Sequence, residues 1–425
     1  MMNHVVIKPK SFSLITFAVI VLVLAIAVPS YAQPPGIIPF KVKAKSAVLM
    51  NARSGQVVFE QRADVKIPPA SLTKLMTLYI VFDAVDNGYV TLSDQVKISK
   101  KAWKTIGSRM FLEVGTQVEL KTMLQGIAVV SANDACVAVG EYVAGAEATF
   151  VEDMNEKAAA IGMNNTVFTN SHGLPEEGQY SSARDMALLA FSYLKNHPGA
   201  LKMHSRKQMT FNGIKQQNRN GLLWLDYGVD GLKTGWFSDA GFHIIATAFR
   251  NQDRFIAVVM GADGETQREN AALKLLNLGF RNFRTVSVPR EQTVTKISVW
   301  KGARADVDVA PAQEVCVTLS NKLKGEVYIE KDVPERLVAP VAHNSPVGQL
   351  RVIVGEKTIK TFPLLPLDPV GRAGMIKRCM HGMVLSCVVP PYWGVITAVV
   401  LIVVFFAARR MMSGKRKKED IFDLS

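Results

Sequence analysis

Pro68-Pro69-Ala70-Ser71-Leu72-Thr73-Lys74-Leu75-Met76-Thr77 is the stretch from which the rest of the chain can be read. Two prolines fix the approach, and they predict a helix that starts near Ala70. That helix runs to about Val85 and is apolar nearly all round, which places it in a core rather than on a surface. Within it Ser71 and Lys74 stand three apart, so their side chains share one face. Burial disfavours a charged ammonium, and an uncharged lysine beside a hydroxyl is a base that can activate it.

Two further motifs follow in order. Ser131-Ala132-Asn133 precedes a helical pattern, and Lys233-Thr234-Gly235 stands at the entrance of a predicted strand. Each is weak alone, because such short patterns recur by chance in unrelated turns and helix surfaces. Their order and agreeing contexts make the set specific. Lys233 is expected to be the second cation that lowers the pKa of Lys74, and to hold a substrate carboxylate. Ser131 is expected to relay a proton to the leaving amine, and Asn133 to bind a substrate amide and Lys74. The backbone N–H groups of Ser71 and Trp236 are candidates for an oxyanion hole.

The segments between and beyond these motifs set the architecture. Ala47–Asn51 and Val57–Gln61 read as a hairpin; residues 118–195 carry four helical patterns; Phe242–Phe249 and Phe255–Met260 read as a second hairpin, followed by a helix over Thr266–Leu278. Composition shifts near Val286. From there to about Pro366, short Val/Ile/Thr-rich runs alternate with Gly, Pro and Asn turns, the spacing of a small all-β sandwich.

Both ends read as addresses. Lys8 and Lys10, the apolar run Ser11–Val28 and the small residues before Gln33 predict a signal peptide over 1–32. Tyr392–Ala408 is uncharged, has aromatics at its outer edge and is followed by six basic residues, which predicts a membrane-spanning helix with a cytoplasmic tail. An interfacial helix is the rival, but Val399–Phe406 has no polar face. The expected division is therefore a leader (1–32), a catalytic domain (40–283), a β-sandwich (286–368), a juxtamembrane segment (371–390), a transmembrane helix (391–408) and a basic tail (409–425). Export at one end and a cytoplasmic tail at the other are expected to put everything between them outside the membrane.

The net charge of +14 raises the question of nucleic acid. Residues 33–370 hold 39 basic against 33 acidic residues with no aromatic-interleaved basic cluster, so nucleic-acid binding is not expected. Cys136, Cys316, Cys379 and Cys387 show no metal-ligand spacing, and the seven histidines contain no H-E-x-x-H pattern. No cofactor or metal is expected, and no essential disulfide.

The sequence resembles the low-molecular-weight penicillin-binding proteins of the D,D-carboxypeptidase type, from about Ser46 to Pro366. The resemblance extends to AWKTIGSRMFLEVG at 102–115, VVSANDACVAVGEYVAG at 129–145, HGLPEEGQYSSARDMALLA at 172–190, QNRNGLLW at 217–224, VDGLKTGWFSDAGF at 229–242 and KLLNLGFRNF at 274–283. It implies an α+β transpeptidase-type domain, an antiparallel sheet flanked by helices, that removes the terminal D-Ala from peptidoglycan pentapeptide stems through an acyl-enzyme and is acylated by β-lactams. It also implies that Ser71, Lys74, Ser131, Asn133, Lys233, Thr234 and Gly235 hold the family's catalytic and binding positions, and that Arg219 and Arg268 lie near the substrate carboxylate. Three features depart from the family: Ala132 replaces a glycine, Trp236 stands where His or Thr commonly follows K-T-G, and the C-terminal segment looks membrane-spanning rather than amphipathic. A D,D-endopeptidase, a class A-like β-lactamase and a non-catalytic penicillin-binding scaffold are the alternatives. A β-lactamase would need a Glu-x-x-x-Asn segment, and none is present in the 30–40 residues after Ser131.

Overall fold

The computed structural model describes residues 40–288, 295–375, 397–404 and 406. The expected signal peptide, most of the juxtamembrane segment and the basic tail lie outside the described residues.

The chain opens with strands β1 (Ser46–Asn51) and β2 (Val57–Gln61), which form the expected hairpin. A 3-10 turn at Ala70–Thr73 then leads into helix α1 (Lys74–Asp86). The sequence predicts one helix from Ala70. The turn splits it because Ala70 sits at φ +48°, outside the helical region, while Leu72 N–H donates to the Pro69 carbonyl at 3.1 Å. Strands β3 (Gln95–Lys97) and β4 (Gln117–Glu119) form a small ladder around the short helix α2 (Lys100–Lys104). Helices α3 (Leu120–Val129), α4 (Asn133–Ala144), α5 (Glu147–Ala160) and α6 (Ala183–Asn196) match the four patterns read between 118 and 195. A single turn, α7 (Leu201–His204), and the hairpin β5 (Gln208–Phe211) with β6 (Ile214–Gln217) complete this half.

Strands β7 (Val229–Phe237), β8 (Gly241–Arg250) and β9 (Asp253–Ala262) close an antiparallel sheet in the order β2-β1-β9-β8-β7. Side chains alternate across it, as strand geometry requires. Val48, Met50, Ile256, Val258 and Met260 join the main core with the buried face of α1 and with α3, α4 and α6. On the other parity Phe255 meets Phe280 of α8 (Glu265–Asn282) edge to face, ring centroids 5.1 Å apart. Lys233 lies in the middle of β7 rather than at its entrance, because Val229 and Gly231 already pair with Ala248 and Thr247 of β8. β7 is an edge strand of this sheet, and the carbonyls of Gly231 and Leu232 are met there by the side chains of Asn220 and His204.

The second half is all β. β10 (Phe283–Val288) pairs with β13 (Val315–Ser320), and β11 (Thr295–Trp300), β12 (Asp306–Pro311), β14 (Val327–Asp332), β15 (Arg336–Val338), β16 (Gly348–Val354) and β17 (Lys357–Pro366) form a six-stranded sheet ordered β14-β16-β17-β12-β11-β15. Val315, Val317 and Leu319 pack on Leu350, Val352, Phe362 and Leu364, which brings the two sheets together over one core. β10 escapes sequence reading because it starts at the residue after α8 with no turn signal between them. A partly buried hydrogen-bond cluster ties the halves: Asn51 Nδ2 donates to Thr285 Oγ1 at 2.9 Å, and Ser54 Oγ lies 2.7 Å from Thr318 Oγ1.

Among the described residues no helix is long and apolar enough to cross a membrane. Residues 397–404 are helical, and each of Val399–Val404 is 52% exposed or more. The rest of the span expected over 391–408 lies, apart from Phe406, outside the described residues. Cys136 and Cys316 are buried free thiols, whereas Cys379 and Cys387 fall outside the described residues.

Helix α1 carries the core, so truncating it is expected to be expensive. Leu75 is fully buried, and Leu75→Ala should lower the unfolding free energy by about 2–5 kcal/mol in urea titrations.

Candidate active site

Three elements converge where the motifs predict. The turn before α1 presents Ser71, the start of α1 presents Lys74, and Lys74 Nζ lies 3.1 Å from Ser71 Oγ. Ser131, at φ +63° just before α4, lies 3.0 Å from Lys233 Nζ on β7. β7 reaches the Ser71 turn because Gly235 has no side chain: a Cβ there would stand 3.2 Å from the Pro69 carbonyl oxygen and 3.3 Å from the Ser71 nitrogen. A cavity of about 370 Å³, bordered by Ala70, Gly173, Pro175, Glu176, Phe237 and Asp239, opens beside that turn.

The two lysines are buried, Lys74 fully and Lys233 at 3% exposure, and this decides their chemistry. Burial pushes the Lys74 ammonium down to about 8, with the Arg219 charge acting the same way. Burial also holds Lys233 well below the ordinary lysine range, and the Lys74 charge adds to it. Burial is thus the main cause for Lys74, as the sequence suggests, and the cation that adds to it is Arg219 rather than the expected Lys233. Lys74 Nζ also donates to the His172 carbonyl, its second partner, which holds the amine beside the Ser71 hydroxyl. This is the geometry of a general base beside a nucleophile.

Other residues hold this geometry. Asn133 donates from Nδ2 to the Ile106 carbonyl at 2.6 Å rather than engaging Lys74. Asp134 accepts from the backbone N–H of Met110 and Leu112, at 3.1 Å each, and so fastens the loop before β4 onto α4. Glu147, at the start of α5, accepts from Ser171 Oγ at 2.6 Å and from Lys101 Nζ at 2.8 Å, fixing the loop that carries His172. Gly173, at φ +83°, has no room for a Cβ against the Ala70 carbonyl. These backbone contacts were invisible to motif reading. The glycine after His172 was the one available signal.

The family described as D-alanyl-D-alanine carboxypeptidase matches residues 30–264, and the one described as penicillin-binding protein 5, C-terminal domain, matches residues 283–372. The chain belongs to the D-alanyl-D-alanine carboxypeptidase family. Like its relatives it is a serine-type D-Ala-D-Ala carboxypeptidase. It is 39% identical over 363 residues to the carboxypeptidase DacD of Escherichia coli, an alignment that covers 83% of this chain and 92% of DacD. The crystal structure of penicillin-binding protein 5 from Haemophilus influenzae superposes with a TM-score of 0.74 at 37% identity, covering 79% of this chain and 100% of that one. The ampicillin-bound penicillin-binding protein D2 of Listeria monocytogenes gives 0.53 at 30% identity, covering 59% of this chain and 100% of that one.

Against the carboxypeptidase pattern, the departures separate. Ala132 lies at φ −64° and ψ 114°, ordinary for alanine, so the missing glycine costs nothing in the backbone. Trp236 is 59% exposed, and its ring leans on Phe242 of β8 at 5.9 Å between centroids. Arg268 is buried beside the same Phe242, held by Glu269 at 3.3 Å, and donates to the Arg219 carbonyl at 3.4 Å. Arg219 is exposed, but its charge acts on both lysines. Thr234 is buried in β7, and its carbonyl accepts from Lys233 at 2.9 Å.

A lysine held at about 8 in the folded chain against 10.5 when exposed binds fewer protons folded than unfolded. The resulting destabilisation is fully present below the folded value and fades as pH rises toward the unfolded one. Relative to Lys74→Met, the wild-type chain should therefore gain roughly 2–3 kcal/mol between pH 7 and pH 10, read from urea denaturation of both proteins across that range.

Proposed function

We propose that Ser71 is the nucleophile, acylated by the penultimate D-Ala carbonyl of a peptidoglycan pentapeptide stem with release of the terminal D-Ala, and acylated likewise by β-lactams. The observation that carries this reading is the 3.1 Å approach of Lys74 Nζ to Ser71 Oγ inside a buried site. Lys74 takes the hydroxyl proton as the Ser71 Oγ–carbonyl bond forms. Ser131, bridged to Lys233 at 3.0 Å, gives its hydroxyl proton to the leaving amine as the peptide C–N bond breaks and regains one from Lys74, which returns that lysine to its uncharged form. Water then hydrolyses the ester and frees Ser71. The Ser71 and Trp236 N–H groups would hold the oxyanion. Lys233, Thr234, Gly235, Arg219 and Arg268 form the side that binds the terminal carboxylate, and Asn133 binds the substrate amide.

The same proposal includes the setting. Residues 1–32 direct export, residues 391–408 anchor the chain in a bacterial inner membrane, and residues 409–425 remain cytoplasmic, leaving the catalytic and β domains on the periplasmic side. The apolar, all-round exposed helix at 397–404 supports an anchor. The basic residues after it support its orientation.

A fluorescent penicillin should leave one stable adduct on the wild-type chain and none on Ser71→Ala; rapid turnover without a lasting adduct would instead mark a β-lactamase. With a pentapeptide stem, mass spectrometry should record loss of a single D-Ala. Because the base must be uncharged, the acylation rate constant should rise with pH to a plateau, with a midpoint near the Lys74 value of about 8, falling about tenfold per pH unit below it.

A further inference from the structure

One buried side chain outside the three motifs touches the nucleophile's turn. His243 is fully buried on β8, directly opposite Gly235 in the β7–β8 pairing. Paired residues project to the same face of a sheet, and glycine leaves that face empty. The space is filled by the chain at Pro69, Ala70 and Ser71. The ring reaches across it, with His243 Nε2 lying 3.1 Å from the Pro68 carbonyl oxygen.

Its other nitrogen is also spoken for. The β8–β9 pairing slips between Phe242 and Ile244, and Gly261, at φ +71°, sits in the resulting bulge. Its N–H, displaced from the ladder, donates to His243 Nδ1 at 2.9 Å. A nitrogen that accepts cannot carry the proton of a neutral ring, so the proton is on Nε2, which donates to Pro68. Burial keeps the ring neutral by pushing its pKa down to about 4.

From these contacts we infer that His243 is a positioning residue for Ser71: it grips the Pro68 carbonyl and so sets how the strained Ala70–Thr73 turn sits against β7. The turn needs such a grip. Ala70 holds φ +48°, a conformation disfavoured for alanine, and such backbone persists only where its surroundings over-determine it. Three contacts do so: Gly173 against the Ala70 carbonyl, Gly235 against Pro69 and Ser71, and His243 on Pro68. The inference rests on Ser71 being the nucleophile.

Two substitutions separate the hydrogen bonds. His243→Gln keeps a donor at the distance of Nε2, whereas His243→Asn keeps an acceptor near Nδ1 for Gly261 but falls short of Pro68. The full-length chain in detergent would be labelled with fluorescent penicillin, and rate, end-point stoichiometry and adduct position read for each protein. The Gln variant should acylate within about threefold of wild type, and the Asn variant about 10–100-fold more slowly, since small misplacements of a reacting group cost rates of that order. Both should reach one adduct per chain on Ser71. Equal rates for Asn and Gln, fast or slow, overturn the inference. So does incomplete labelling of the Asn variant with a wild-type rate for its labelled fraction, which is the signature of a stability role alone. A wild-type adduct on a residue other than Ser71 defeats the nucleophile assignment itself, whereas a Ser71 adduct formed at unchanged rate in the Asn variant defeats only the role of His243.

Discussion

A single amine kept out of water is what the rest of this molecule serves. In solvent Lys74 would carry a proton and attract the Ser71 hydroxyl only as a donor. Enclosed among the core side chains of α1, α3 and α4, it has its pKa pushed down to about 8, so the uncharged form that can accept the hydroxyl proton is far easier to reach than in solvent. Charging a fully buried group is opposed by the low polarity around it, so the base strength of the site is a property of the core. The helical layer and the catalytic chemistry are therefore one construction.

The second lysine shows the same physics turned to another end. Lys233 is buried to a similar degree, yet it faces Ser131 and its neighbour's carbonyl rather than Ser71. The Lys74 charge makes Lys233 harder to protonate, and Arg219 and Arg268 deepen the effect. An arriving carboxylate would relieve that repulsion. Substrate charge is thus built into the balance of the empty site, with the cationic side around Lys233 and the acidic border of Glu176 and Asp239 beside the Ser71 turn.

Much of this was legible in the sequence, and what was legible shares a cause. Apolar periodicity placed the buried helix that carries Lys74, and the four helices between 118 and 195, because burial is encoded in the side chains themselves. The three motifs were legible because catalytic groups are side chains with distinctive letters. The short ladders β3–β4 and β5–β6 were missed since three or four residues give no period to detect. β10 was missed because α8 passes straight into it. Lys233 was placed at a strand entrance rather than its middle because Val229-Asp230-Gly231-Leu232 contains a charge and a glycine, and only pairing with β8 makes it strand.

The remaining omissions are of another kind. Lys74 is met by the carbonyl of His172, Asn133 by that of Ile106, and the Ser71 turn by backbone atoms of Pro69 and Ala70 lying against glycines. Every residue owns a carbonyl, so no letter marks the one that is used. What the sequence can record is the absence of a side chain where backbones must approach, as at Gly173 and Gly235, or an unusual polar residue in an otherwise apolar strand. His243, set between Phe242 and Ile244, is such a residue. A ring with one donor and one acceptor in the middle of a sheet implies two backbone groups that the ladder has left unpaired, and here those groups belong to a bulge in β9 and to the chain that leads into Ser71.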